Sequence, residues 1–279
     1  MSLLVAAILV VTATAVAVGA LLLIRHFSPH GGHFGDTSRA AGVFSILATS
    51  FAVLFAFMIF LAFTAYDKSR TGAETEASTV VQQFETAQLL PPEQGNVLSG
   101  ELVCYARSVV YQEWPQMEQG RPPSVNPWGA PMFLTFKQIN PTTPAQQAAY
   151  SKWLDQTTTR ELARQDRVHT STGVIPSPLW FVLLVSAGVV LAFVFFFADR
   201  GERAMIQAMQ VGAVMAMLAA SLLVIRFLDQ PYSRGAGSIR PTAMEQSLSQ
   251  LDFATKALNL PLTPPCDDQG RALAASPAN

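Results

Sequence analysis

Three of the four histidines of this chain fall in one short stretch, Arg25-His26-Phe27-Ser28-Pro29-His30-Gly31-Gly32-His33, with Asp36 close behind. Imidazoles at His26, His30 and His33 could share a divalent metal, because neutral ring nitrogens are common metal ligands. The stretch also reads as a plain solvated turn, since Pro29 and Gly31-Gly32 punctuate it. A second candidate is electrostatic. Arg160, Arg164 and Arg167 recur on one helical face, and Asp67, Glu74 and Glu76 cluster upstream. A charge network within one domain is the expected role for these, ahead of a ligand site. A third candidate carries no charge. Ser45, Thr49, Ala52 and Ala56 share one helical face, opposite Phe44, Phe51, Phe55 and Met58. A narrow apolar neck with a few hydroxyls is one way to build a pore that gates by wetting. A fourth is a row of small residues, Ala204, Ala208, Gly212, Ala216 and Ala220, which lets two helices approach closely. Packing against the preceding span is the expected use of that row, with subunit contact as the alternative.

Catalytic signatures are missing. The sequence has no Gly-rich phosphate loop, no nucleophile elbow and no pair of carboxylates within an apolar segment. An enzyme is therefore not expected, and no cofactor is implied. The net charge of −1 gives no footprint for nucleic acid. Cys104 and Cys266 form no metal motif. They must share one side of a membrane, and an oxidising side would let them pair.

The elements that position these residues are dominated by lipid. Half of the residues are hydrophobic and only 13% are charged. The charge deficit is concentrated in four blocks without Asp, Glu, Lys or Arg: Leu3 to Ile24, Ala41 to Tyr66, Ser177 to Ala198, and Ala204 to Ile225. Each holds about 22 residues or more, roughly 33 Å of helix, which crosses a hydrocarbon core of about 30 Å. The first block is read as a retained span and not a signal peptide. No basic residue precedes it, and its apolar run exceeds the roughly 7–15 residues of a signal h-region. Gln207 and Gln210 are the most polar groups of the fourth span and are expected to reach the interface.

The expected fold is an all-α membrane protein with four transmembrane helices in two hairpins and a helical extramembrane domain between them. Its parts are a first hairpin over 1–66, a helical domain over 67–175, a second hairpin over 176–226 and a polar tail over 227–279. In the middle part, Ala73, Ala77, Val80, Phe84 and Ala87 mark one apolar face. A second helix is expected over about Val97 to Trp114, stopped by Pro115. Prolines and glycines between Gly120 and Pro131 read as a loop. A third helix opens at Thr143, with Pro144 at its first position and Gln146 completing a capping box. No convincing strand is visible, and the last dozen residues read as a candidate disordered end. Near the span ends, Lys68, Arg70, Arg160, Arg164, Arg167, Arg226 and Arg234 stand on one side and Arg25, Arg39, Arg200 and Arg203 on the other. That count places the middle domain and both termini in the cytoplasm.

Several local signatures follow in order. Tyr66-Asp67 leads to Glu74-Thr75-Glu76-Ala77. Tyr105-Ala106-Arg107 runs through to Glu113-Trp114-Pro115. Arg164 and Arg167 precede the third span, and Leu228-Asp229-Gln230-Pro231-Tyr232 follows the fourth. With these the chain resembles the bestrophin-like family of bacterial membrane proteins over most of its length. The resemblance extends distantly to bestrophins, pentameric anion channels with a cytoplasmic helical domain. It implies a passive, oligomeric anion channel of the bacterial inner membrane, with the second span lining the pore and the lipid bilayer as its surroundings. The other reading is a non-conducting accessory or scaffold subunit of a larger membrane complex. In bestrophins the Asp-x-Pro-aromatic element leads into an acidic run that binds calcium. Here Ser233-Arg234-Gly235-Ala236-Gly237 follows, so calcium gating is not implied.

Overall fold

The computed structural model describes residues 3–29 and 32–273. Its helices are α1 (Leu3–Phe27), α2 (Thr37–Ala87), α3 (Pro92–Ser108), a π-helical turn (Val109–Glu113), α4 (Trp114–Glu118), α5 (Gly129–Lys137), α6 (Pro144–His169), α7 (Ser177–Phe196), α8 (Ala204–Asp229) and α9 (Thr242–Ala257). Among the described residues no strand forms, only a single bridge between Cys266 and Ala272.

Two compact units divide the chain. The first takes the described residues of 1–65, 173–230 and 234–237, and the second takes those of 66–172, 231–233 and 238–279. The first unit contains α1, the apolar part of α2, α7 and α8, the four helices long and apolar enough to cross a membrane. Their outward surfaces are apolar: Ile8, Val53, Phe57, Phe181 and Met217 are all exposed. Water would penalise that surface, whereas hydrocarbon accepts it and requires backbone polar groups to be satisfied within each helix. Two interior clusters hold the unit together. Met58, Leu183 and Ile225 meet in one, with Phe51 and Phe55 beside them. Ala17, Leu21, Ala198 and Val211 meet in the other.

The second unit has a conventional core. The apolar face Ala73, Ala77, Val80, Phe84 and Ala87 is buried along its whole length. Thr143 caps α6 through its side chain, and Gln146 returns the bond to the cap backbone, a complete capping box with Pro144 at the first turn. Helix α3 begins at Pro92, earlier than its apolar pattern suggests, because Pro suits a first turn where no N–H is needed. Pro115 does not stop the chain here. The ladder widens to a π turn ahead of it, with the Trp114 N–H reaching Val109, and Pro115 then opens α4.

Two helices form where the sequence read as loop or tail. Helix α5 starts at Gly129, within the Pro/Gly stretch, and buries Met132 and Phe136. Helix α9 lies in the tail and buries Met244, Ser247 and Leu251. Beyond α9, the segment up to residue 273 is strapped onto α3 and the π turn. Trp128 Nε1 donates to Gly270 O at 2.8 Å, and Gln112 Nε2 donates to Gln269 O at 2.9 Å. Gly270 has φ +76°, and a Cβ there would overlap the Ser108 backbone, so only glycine lets the strap lie this close. Of the dozen end residues expected to be disordered, those up to 273 are thus held in place, and the rest lie outside the described residues. A Cys104–Cys266 disulfide joins the strap to α3 across 162 residues of sequence.

Candidate functional site

Arg167 is the largest fully buried side chain of the second unit. It sits on the α6 face that also carries Arg160 and Arg164, three and four residues apart along one side. Burying a guanidinium is costly unless it is paired and hydrogen-bonded. The partners come from two other elements. Its Nε and Nη2 donate to the Glu76 carboxylate of α2, the second at 2.9 Å, and Nη2 also reaches Glu113 Oε2 of the π turn at 2.8 Å. Gly72 makes this approach possible, because a Cβ there would come within 2.7 Å of Ala163 O and 2.8 Å of Arg167 N.

A shell of polar groups satisfies the rest. Tyr105 donates to Glu76 Oε1 at 2.6 Å, and Asn126 donates to Glu113 Oε1 at 2.8 Å. Arg164 adds a second cation at Glu113, 3.3 Å away. The guanidinium of Arg167 lies over the Trp114 ring, 5.5 Å from its centroid. That ring meets Tyr232 edge to face at 5.6 Å, and the Tyr232 hydroxyl donates to Arg167 O. Arg160 instead bonds Gln83 at 2.8 Å and stacks over Tyr105.

Burial alone would lower the Arg167 pKa, but Glu76 and Glu113 outweigh it and hold the guanidinium well above its usual range. Burial and the neighbouring Glu76 carboxylate push Tyr105 well up, and burial pushes Tyr232 up to about 12. Both carboxylates are saturated by donors, and no nucleophile stands beside a free base. The arrangement can fix three helical elements in register; it offers no acid–base pair to a substrate.

The sequence-level charge network is thus only partly the one observed. Glu76 is its acidic partner on α2, while Asp67 and Glu74 are solvent-exposed. Glu74 pairs with Arg70 one turn away at 3.1 Å. Glu113, Tyr105, Asn126 and Gln83 complete the network without having been assigned to it. Tyr105 carried a readable signal: a tyrosine on an inward helical face needs a hydroxyl partner. The family elements are likewise distributed. Glu113, Trp114, Arg164, Arg167 and Tyr232 converge in this core, Pro115 opens α4, and Pro231 O accepts the Ile239 N–H at 2.9 Å. Asp229 does something else. In the membrane unit its Oδ1 accepts the N–H groups of Val174 and Ile175, each at 2.8 Å, and Oδ2 takes Trp180 Nε1 at 3.3 Å. It fixes the chain entering α7, and its Oδ2 also pairs with Arg226 Nη1 at 3.6 Å.

Within the membrane unit, α2 has two unlike faces. Phe51, Phe55 and Met58 turn inward, and Phe44 lies against Phe193 and Phe197. Ser45, Thr49, Ala52 and Ala56 are all exposed, with nothing of this unit over them. The small-residue row of α8 packs against a different neighbour from the one expected. Its centre, Gly212, faces Thr14 and Val18 of α1 at 3.5 Å, not α7. Ala208 and Ala216 are half-buried beside it, and Ala204 and Ala220 are open. The reason is contact area: α8 lies along the length of α1, while α7 touches it little. Gln207 is buried and bonds Glu202 at 3.0 Å and Arg25 at 3.4 Å, so it ties α8 to the loop before it and to the last turn of α1.

The described histidines of the first loop pair with aromatic rings. His26 stacks edge-on against Phe27 and His33 against Phe196, while His30 lies outside the described residues. Among the described residues no group of three His, Cys, Asp or Glu side chains could hold a metal ion.

No curated protein matches the chain as a sequence relative. Solved structures match its fold. A bacterial bestrophin homologue from Klebsiella pneumoniae, solved as two different point variants, aligns with TM-scores of 0.63 and 0.64 at 13% identity. These alignments cover 89% and 91% of this chain and 98% of each homologue. A variant of a protein described only as a membrane protein aligns with a TM-score of 0.65 at 12% identity, over 92% of this chain and 99% of its own. At such identity the likeness speaks for the fold. The sequence itself matches the bestrophin-like domain over residues 11–244, and the chain belongs to the bestrophin-like family.

Proposed function

We propose that this protein is an oligomeric, passive anion channel of the bacterial inner membrane, with α2 lining the pore. One observation carries the reading. The face of α2 bearing Ser45, Thr49, Ala52 and Ala56 is open, while Phe51 and Phe55 are half-buried and Met58 is buried against the other spans. A row of small and hydroxyl-bearing side chains left open between exposed apolar ones such as Val53 and Phe57 suits an axis shared with like subunits, with the larger groups meeting lipid or the neighbouring copy. No charged residue lies in the row, so permeation would be governed by narrowness and wetting, with polar groups acting only at the mouths. Membership of the bestrophin-like family supports the same reading.

A second reading has its own observation. Phe133 and Leu134 are exposed side by side on α5, outside the apolar spans. An unlike protein covering that pair would make this chain an accessory or scaffold subunit. Copy number separates the readings: a channel of this kind needs a closed ring of like chains, and a scaffold stands beside unlike ones. The test is chloride flux from liposomes holding the purified, folded protein, read together with the mass of the intact complex. A homo-oligomer with flux supports the channel, and a folded protein without flux overturns it. The side of the membrane is a separate matter; it turns on the disulfide more than on the count of basic residues.

A further inference from the structure

We infer that the helical unit faces an oxidising compartment outside the cytoplasm, where the Cys104–Cys266 disulfide latches the C-terminal strap across α3 and the π turn. This is the opposite side from the one that the basic-residue count and the bestrophin resemblance suggest, and it stands independently of whether the chain conducts.

The first support is the latch. Cys104 is fully buried on α3 and Cys266 nearly so, and the structure leaves no free cysteine among the described residues. The strap is fitted to that bond along its length. Pro264 and Pro265 pack on Gly100, Arg107 donates to Asp267 O at 3.2 Å, and Gly270 lies against Ser108. Asp267 closes the turn by accepting the Arg271 N–H at 2.9 Å, and Leu273 N–H returns to Pro265 O at 3.1 Å. The strap itself lies beyond residue 244, where the family match ends. Stable disulfides of this structural kind form and persist where thiols are oxidised, and are rare in the bacterial cytosol. Closing the bond removes two electrons and two protons from the Cys104 and Cys266 thiols. A disulfide-bearing thiol oxidant takes them up, its own disulfide becoming a dithiol.

The second support is the charge count, taken with the fold in hand. The basic-residue rule applies to short loops of up to about 60 residues, because long domains cross the membrane largely regardless of charge. Lys68, Arg70, Arg160, Arg164 and Arg167 belong to a stretch of roughly 110 residues and fall outside it. They are also engaged: Lys68 with Asp166, Arg70 with Glu74, Arg160 with Gln83, and Arg164 and Arg167 with Glu113. That leaves Arg226, Arg234 and Arg240 on this side. Two short loops on the other side hold Arg25, Arg39, Arg200 and Arg203. The short-loop count, slight as it is, now puts those loops in the cytoplasm.

The test uses the full chain in intact bacterial cells. With the native disulfide closed, Ser151→Cys on exposed α6 or Thr37→Cys at the start of α2 supplies the one reactive thiol. A membrane-impermeant maleimide is expected to label Ser151→Cys and to spare Thr37→Cys. In wild type trapped in acid and then unfolded, Cys104 and Cys266 are expected to react only after reductant, shifting the band by two adducts. Reversed labelling overturns the orientation even if the disulfide is closed. Two thiols that react without reductant overturn the latch.

Discussion

Glu76 and Glu113, from a long helix and from a π turn, share the single guanidinium of Arg167. Removing that cation leaves the buried Glu76 carboxylate without one and Glu113 with Arg164 alone. Arg167→Met is expected to destabilise the helical unit by about 3–5 kcal/mol, the usual cost of breaking a buried ion pair from one side. Arg167→Lys should restore little, since an ammonium cannot fork between two carboxylates. Loss of helical signal on heating the detergent-solubilised protein measures both. An unchanged melting temperature in Arg167→Met would mean that the network does not hold the unit together.

Glu101 gives the unit a pH dependence. It is buried on α3, and only Thr135 is bonded to it, at 3.1 Å, leaving Oε2 without a partner. Burial pushes its pKa up from 4.5 to about 7, against the smaller effect of the Thr135 bond. The unfolded chain therefore loses this proton first as pH rises. The contribution of the protonated carboxyl is complete below about pH 4.5 and is lost as pH climbs through 7. Glu101→Gln should flatten that stretch of the stability curve and raise stability at pH 8 by about 1–2 kcal/mol, after allowing for solvent screening. Melting temperatures across pH 4–8 check it, and parallel curves for the two proteins would count against it.

What the sequence made legible follows from which forces act locally. The four spans were readable because lipid demands an unbroken apolar run. The α6 start was readable because Thr143, Pro144 and Gln146 cap it within one turn. The face from Ala73 to Ala87 was readable from its period. Helix α5 was hidden because Pro131, which punctuates loops, is tolerated in a helix's first turn. Pro115 misled in the opposite way, since a π turn absorbed it. Tertiary partners were beyond the sequence. Nothing in the spacing of Arg160, Arg164 and Arg167 says that Glu113 is nearer than Glu74, or that Gly212 faces Thr14. The disulfide shows the same limit, because its two cysteines are 162 residues apart and only the strap brings them together.

Gly212 lies in the α1–α8 contact. A Cβ there would meet Thr14 Cγ2 and Val18 Cγ2 at 3.5 Å, an ordinary contact distance. Gly212→Ala should therefore be near neutral. Gly212→Leu cannot fit without parting the helices, and overpacking of this sort costs about 1–3 kcal/mol. Thermal stability in detergent should fall for leucine and hold for alanine. Equal stability of the two variants would place that face towards lipid.

Ala52 stands mid-row on the open face of α2, one turn from Thr49 and from Ala56. In a ring of like chains each copy would bring one Ala52 to the axis. A methyl-lined neck of small radius excludes water, and without water no anion enters. A hydroxyl at that depth offers water a hydrogen-bond partner with little added bulk. Ala52→Ser is thus expected to raise chloride flux severalfold in reconstituted liposomes. Ala52→Phe adds a ring per subunit to that neck and should abolish flux. Neither change touches the inward cluster of Phe51, Phe55 and Met58, so folding should survive both, which helical signal and intact assembly mass would confirm. If serine and phenylalanine variants both fold, assemble and pass chloride as wild type does, α2 does not line the path. If neither they nor wild type pass chloride, the scaffold reading takes over, and the exposed Phe133–Leu134 patch becomes the place to look for its partner.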